Sequence, residues 1–241
     1  MQLNAKFKAL LASAAIAVGL TACGGGSGDA QSSQSSGAAT VAAIKEKGVI
    51  RIGVFGDKPP FGYVDANGKN QGFDVEIAKD LAKDLLGSPD KVEFVLTEAA
   101  NRVEYVRSGK VDLILANFTK TPERAEAFFT KSHPEVKLLK FDQNTETFDA
   151  LKDGRGVALA HDNALLWAWA KENPNFEVAI GNLGPAEFIA PAVQKGNTDL
   201  LNWVNGEIAA MKKDGRLKAA YEKTLLPVYG EKVKPEELLA E

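Results

Sequence analysis

From residue 41 onward the sequence predicts an α/β fold with a largely parallel sheet. Short β-rich apolar runs alternate with amphipathic stretches, which is the order of strand and crossover helix. One run, 111–118 (VDLILANF), is almost wholly apolar, as a strand covered on both faces would be. Glycines stand where the amphipathic stretches end, as they do at helix C-termini.

The chain starts differently. Lys6 and Lys8 precede an uncharged apolar stretch, 9–22, that is shorter than the roughly 20 residues a membrane-spanning helix needs. Residues 1–22 therefore read as a signal peptide. The stretch closes on Leu20-Thr21-Ala22-Cys23-Gly24, the pattern of a lipobox, in which the cysteine thiol is acylated and becomes the first residue after cleavage. Cys23 is the chain's one cysteine, so an internal disulfide is ruled out and lipidation accounts for it better than packing does. Residues 23–40, rich in Gly, Ser, Gln and Ala, bury too little apolar surface to fold and read as a flexible tether.

In the body, 49–55 (VIRIGVF) reads as a first strand, followed by a loop at Pro59 and Pro60. Asn67-Gly68 predicts a hairpin between two extended pieces. A helix follows at 74–86, with Val75, Ala78 and Leu81 on one side and Gly87 as its stop. A strand at 91–97, a helix at 99–108 and the strand at 111–118 complete the first half, and Thr121-Pro122-Glu123 opens another helix. The second half predicts strands at 136–141, 156–160, 177–180 and 188–193, helices at 145–152 and 163–171, and a long amphipathic region, 198–225, broken at Asp214-Gly215.

The 29 basic and 32 acidic residues leave no excess of positive charge for a nucleic-acid face. Two distant histidines, His133 and His161, and one cysteine give no metal-ligand spacing, and no cofactor is implied. No nucleophile–base motif points to an enzyme; His161 beside Asp162 is the nearest approach to one.

Three segments resemble the periplasmic polar amino-acid-binding proteins of ABC importers, the bacterial extracellular solute-binding protein family 3. They are Ile50-Arg51-Ile52-Gly53-Val54 before Pro60-Phe61, Gly72-Phe73-Asp74-Val75-Glu76-Ile77-Ala78, and Ser108-Gly109-Lys110-Val111-Asp112-Leu113 leading to Thr121-Pro122-Glu123-Arg124. Within the family, GVFGDKPPFGYVD and LTEAANRVEYVRSGKVDLILANFT are most similar to cysteine-binding lipoproteins. The resemblance implies a bilobal, type II periplasmic-binding-protein-like α/β fold. It places lobe 1 at 41–126, lobe 2 at 127–187, and a return to lobe 1 with C-terminal helices at 188–241.

It also implies a site. An amino acid carries a carboxylate and an ammonium close together, so its receptor needs a cation and an anion converging on one cavity. The family's carboxylate partner falls on Arg124 and its ammonium partner on Asp162. By pattern alone, Arg124 reads equally as a solvated helix residue paired with Glu123 or Glu126, and Asp162 as an N-cap. Asn117 and Thr119 fall where the family offers polar groups to the ligand, and Phe55, Lys58 and Arg102 where it tunes side-chain selectivity. Phe55 disfavours a charged ligand side chain, whereas Lys58 and Arg102 favour an acid or a thiolate-like group, so the ligand stays open.

The chain departs from the family pattern after Glu126. The hinge crossing, the opening strand of lobe 2 and the Gly-Thr-Thr turn that holds the ligand carboxylate are all missing, so the second lobe is expected to be truncated. The expected function is delivery of a polar amino acid, cysteine foremost, to an ABC transporter permease by a monomer tethered to a membrane through lipid. Two rivals are a lipoprotein of the same fold that has lost ligand binding and a dehydratase-like enzyme on that fold.

Overall fold

The structure is a computed structural model and describes residues 39–117, 129–180, 189–230 and 235. It opens on helix α1 (Val41–Lys47), an element the sequence reading passed over. Its signals were present: the Thr40 hydroxyl accepts a hydrogen bond from the Ala43 N–H at 3.1 Å, and Gly48, at φ 72°, closes the last turn. Ile44 is its buried anchor.

Strand β1 (Ile50–Val54) is the centre of a parallel three-stranded sheet. The short antiparallel set β2 (Asp57–Lys58), β3 (Gly62–Val64) and β4 (Asn70–Gln71) follows it. The expected hairpin is there, its turn held by the Asp65 carboxylate, which accepts from the N–H groups of Asn67 and Lys69 at 2.8 and 2.9 Å.

Helix α2 (Phe73–Leu86) starts one residue before the expected position. Its entry residue, Gly72, has φ 117°, and a Cβ there would lie 2.2 Å from the Phe61 carbonyl oxygen, so only glycine fits. Strand β5 (Val92–Leu96) pairs with one side of β1 and β6 (Leu113–Ile114) with the other. Between them, the expected helix splits into a 3₁₀ turn at Ala99–Asn101 and α3 (Arg102–Arg107). Arg51 and Asp112 tie β1 to the entry of β6 through a 2.6 Å ion pair.

The core forms where α2 covers this sheet. Val75, Ala78, Leu81 and Ala82 pack against Ile50, Ile52 and Leu113, and Leu200, Val204 and Met211 complete the cluster. Burying each large aliphatic side chain contributes about 1.5–3 kcal/mol before chain entropy is counted.

Strand β6 is much shorter than the expected 111–118, although Val111 to Asn117 are all buried. Its ladder ends because Arg102 takes the Ala116 and Asn117 carbonyls and Asn117 turns left-handed at φ 44°. Phe118 lies outside the described residues.

The second half differs more. Helices α4 (Asn144–Lys152) and α5 (Asn163–Glu172) stand where expected, but 136–141, 156–160 and 177–180 are not strands. A strand needs a neighbour to bond to, and among the described residues of 129–180 there is none; Val136, Leu139, Val157 and Ile180 are exposed. Of the expected strand at 188–193, Phe188 lies outside the described residues, and the rest shows only isolated bridge positions at Ile189 and Ala192, the latter antiparallel to Ile114. The long C-terminal region forms α6 (Thr198–Asp214) and α7 (Arg216–Thr224), parted by Gly215 at φ 88°, and then α8 (Leu226–Tyr229). Tyr221, Leu225 and Tyr229 pack with Phe61 and with Ala164 of α5. Among the described residues, no helix is long and apolar enough to cross a membrane.

Candidate functional site

Five of the residues singled out from the sequence meet around the carboxyl ends of β1 and β6. These are Phe55, Lys58, Arg102, Asn117 and Asp162; Thr119, Arg124, Cys23 and the junction after Glu126 lie outside the described residues. Loops beyond the carboxyl ends of parallel strands are where α/β proteins gather ligand groups.

Lys58, on β2, is 4% exposed and forms an ion pair with Asp162, which precedes α5. Burial pushes the Asp162 carboxyl up, but the Lys58 ammonium overrides it and holds the group well below the usual carboxylate range. Asp162 occupies the N-cap position of α5, yet its side chain makes no capping bond, so the carboxylate serves Lys58 instead.

The surroundings lock this geometry. The Asp162 N–H donates to His161 Nδ1 at 2.8 Å, so the imidazole proton belongs on Nε2, which faces Asn144 Oδ1 at 2.8 Å. Asn144 in turn donates through its backbone N–H and its side-chain amide to the two oxygens of Asp57, both at 3.0 Å. Asp57 thus caps the start of α4 from 87 residues away, and β2 grips the 144–162 region at two points. Sequence reasoning missed Asp57 and Asn144, since no local pattern signals a bond over that separation.

Phe55 forms an apolar wall at the end of β1, with Lys58 Nζ 5.3 Å and Arg102 Cζ 5.5 Å from its ring centre. The guanidinium of Arg102 reaches the protein's own backbone: Nη1 donates to the Ala116 and Asn117 carbonyls, both at 2.9 Å, and Nε to the Ala99 carbonyl at 3.2 Å. Burial lowers its pKa, against the pull of Asp162.

Asn117 is 3% exposed, and neither oxygen nor nitrogen of its amide has a partner among the described residues. Its N–H donates to Asp74 Oδ2 at 3.2 Å. Asp74 is itself buried, and desolvation pushes its carboxyl up to about 7 against the opposing effects of the Asn117 N–H and Lys58. In the sequence Asp74 is the first residue of the expected helix and part of the 72–78 segment that carries the family resemblance, with no site role assigned to it. Tyr229 adds a buried hydroxyl, also unpartnered among the described residues; burial and then the nearby Asp162 charge raise its pKa.

Such a cluster can hold a small zwitterion. A carboxylate kept ionised suits an ammonium, an unpaired amide offers both donor and acceptor, and an aromatic wall bounds the apolar side. A groove of about 290 Å³, lined by Gly56, Asp57, Leu96, Thr97, Glu98 and Gln143, lies next to it.

The profile of the bacterial extracellular solute-binding proteins, family 3, matches residues 50–226. The ABC transporter glutamine-binding protein GlnH of Bacillus subtilis is 32% identical over 249 aligned positions, covering 85% of this chain and 91% of that protein. That alignment is longer than the share of this 241-residue chain it takes up, so part of the relative has no counterpart here. Among solved structures, a solute receptor for L-cysteine of Neisseria gonorrhoeae is 81% identical, with a TM-score of 0.80, over 84% of this chain and 100% of that one. The cysteine-binding protein of Campylobacter jejuni is 44% identical, with a TM-score of 0.77, over 82% and 97%. The fold of these neighbours is the type II periplasmic-binding-protein fold.

Proposed function

The chain belongs to the bacterial extracellular solute-binding proteins, family 3, and from that membership we propose that it is a non-enzymatic, lipid-anchored receptor that delivers L-cysteine to an ABC importer. The observation that carries the reading is Asp162, a carboxylate held ionised at the site and already engaged with a primary ammonium, that of Lys58. A free amino acid presents the same group. The two solved neighbours are a receptor for L-cysteine and a cysteine-binding protein, and both alignments take in most of this chain.

In this reading the ligand ammonium displaces Lys58 from Asp162, and Arg124 takes the carboxylate as a bidentate fork. Thr119 and the Asn117 amide complete the polar contacts, with Phe55 against the ligand's side chain. Lys58, once displaced, stands beside Phe55 where a thiol or thiolate would lie. Cys23 carries the lipid, the tether ends before Ala39 and Thr40, which are tied into the fold, and the protein works as a monomer outside the cytoplasm, its partner a membrane permease.

The middle of the chain is a shortened second lobe. Exposed Val157 and Ile180, the lack of strands among the described residues of 129–180, and the unmatched part of the relative support this. The same observations favour a second reading, in which the fold persists and ligand binding has been lost. Calorimetric titration of the unlipidated protein with the twenty amino acids under reducing conditions separates the two. L-cysteine binding that Asp162→Ala abolishes is the expected result, and silence across the panel refutes the receptor.

A further inference from the structure

Asn117 joins three features that an ordinary loop residue does not combine. Its φ of 44° is left-handed, and no other non-glycine among the described residues has a positive φ. Its backbone is nevertheless fully engaged, the N–H by Asp74 and the C=O by Arg102. Its side-chain amide is buried and unpartnered among the described residues, an arrangement folded proteins rarely leave without a use.

The two clamping groups come from opposite sides. Asp74 sits in the first turn of α2, where the positive end of a 14-residue helix favours a carboxylate, and its own N–H is fixed on the Phe61 carbonyl at 2.9 Å. Arg102 opens α3 and takes the Ala116 carbonyl along with that of Asn117. Between them the chain leaving β6 is held in a turn that asparagine tolerates better than most side chains. The other charge facing Asp74 is Lys58 of β2.

We propose that Asp74 is a positioning residue of the amino-acid site: its buried carboxylate, working against Arg102, holds Asn117 in the left-handed turn that leaves its amide free to bind the ligand's polar groups. The role rests on the receptor reading above, because it is the bound zwitterion that satisfies the amide. It also gives a reason for a carboxylate to be buried between α2 and the end of β6 despite its desolvation.

Three variants and one double variant test it, read by L-cysteine titration and, without ligand, by hydrogen exchange of the Asn117 backbone N–H, the group bonded to Asp74. Asp74→Asn keeps an acceptor at the same place and holds L-cysteine affinity within roughly threefold, whereas Asp74→Ala weakens it roughly ten- to hundredfold. Asn117→Gly takes the left-handed conformation without strain but lacks the amide, and weakens binding to a similar degree. Adding Asp74→Ala to Asn117→Gly costs no further affinity, because the two act through one group.

Unchanged affinity in Asp74→Ala, or losses that simply add in the double variant, overturns the proposal. A wild-type protein that binds no amino acid overturns the receptor reading and the ligand-facing half of the proposal with it. The exchange arm then judges the clamp alone: faster exchange at Asn117 in Asp74→Ala supports it, and unchanged exchange overturns it.

Discussion

Replacing Asp74 with asparagine measures what it costs this fold to bury a carboxylate. Asp74 is 5% exposed, and burial raises its carboxyl from 3.8 to about 7. A folded-state pKa above the unfolded one means that the native state binds the proton more tightly. The group therefore stabilises the fold relative to its charged form at low pH, and that stability is lost as pH rises from about 4 to about 7. Between pH 5 and pH 8 the remaining shift of about two units corresponds to about 3 kcal/mol lost by the wild type. Asparagine mimics the protonated acid, keeps the acceptor for the Asn117 N–H, and does not titrate. Urea unfolding at both pH values should then show Asp74→Asn close to wild type at pH 5 and more stable by about 3 kcal/mol at pH 8. A stability difference between the two proteins that is the same at pH 5 and pH 8 would refute the assignment of a buried, proton-binding carboxyl.

Lys58→Met leaves the Asp162 carboxylate in its part-buried place without its cation and should cost about 3 kcal/mol in urea unfolding at pH 7. Because the Asp162 pKa is depressed, the stability from this pair is present above about pH 4 and is lost on acidification, so the wild-type advantage over Lys58→Met should shrink in acid unfolding. Gly72→Ala drives a methyl to 2.2 Å from the Phe61 carbonyl at a φ of 117°, and should lower stability by about 2 kcal/mol or more; a thermal melt equal to wild type would show that the turn relaxes freely. Cys23→Ala should abolish incorporation of labelled palmitate in cells and release the protein from the membrane fraction, while retained label would place the lipid elsewhere.

Local periodicity made the first half of the chain legible. Val75, Ala78 and Leu81 mark the buried face of α2, and Asn67-Gly68 its preceding hairpin, because both signals lie within a few residues. Thr40 and Gly48 were equally local signals for α1 and were passed over. The helices of the second half stand where expected, and its strands failed for a different reason: β-rich composition around Val136, Val157 and Ile180 expresses a preference, but a strand needs a partner, and no single segment encodes whether one is present.

In the site, residue types were legible and their pairings were not. Lys58 and Asp162 were each singled out, yet the sequence could not say that they would meet each other across 104 positions. Arg102 suited an anionic ligand by type, while the fold turns its Nη1 to the carbonyls that end β6. Asp74 stood in one of the segments that carry the family resemblance, but nothing local signalled its burial or its bond to the Asn117 N–H, 43 positions away.

A crystal structure of the protein grown with L-cysteine tests the central claim most directly. The account predicts the ligand's ammonium on Asp162, Lys58 moved off that carboxylate, and the Asn117 amide bonded to the ligand. An unaltered Lys58–Asp162 pair, with no amino acid between them at saturating concentration, would contradict it.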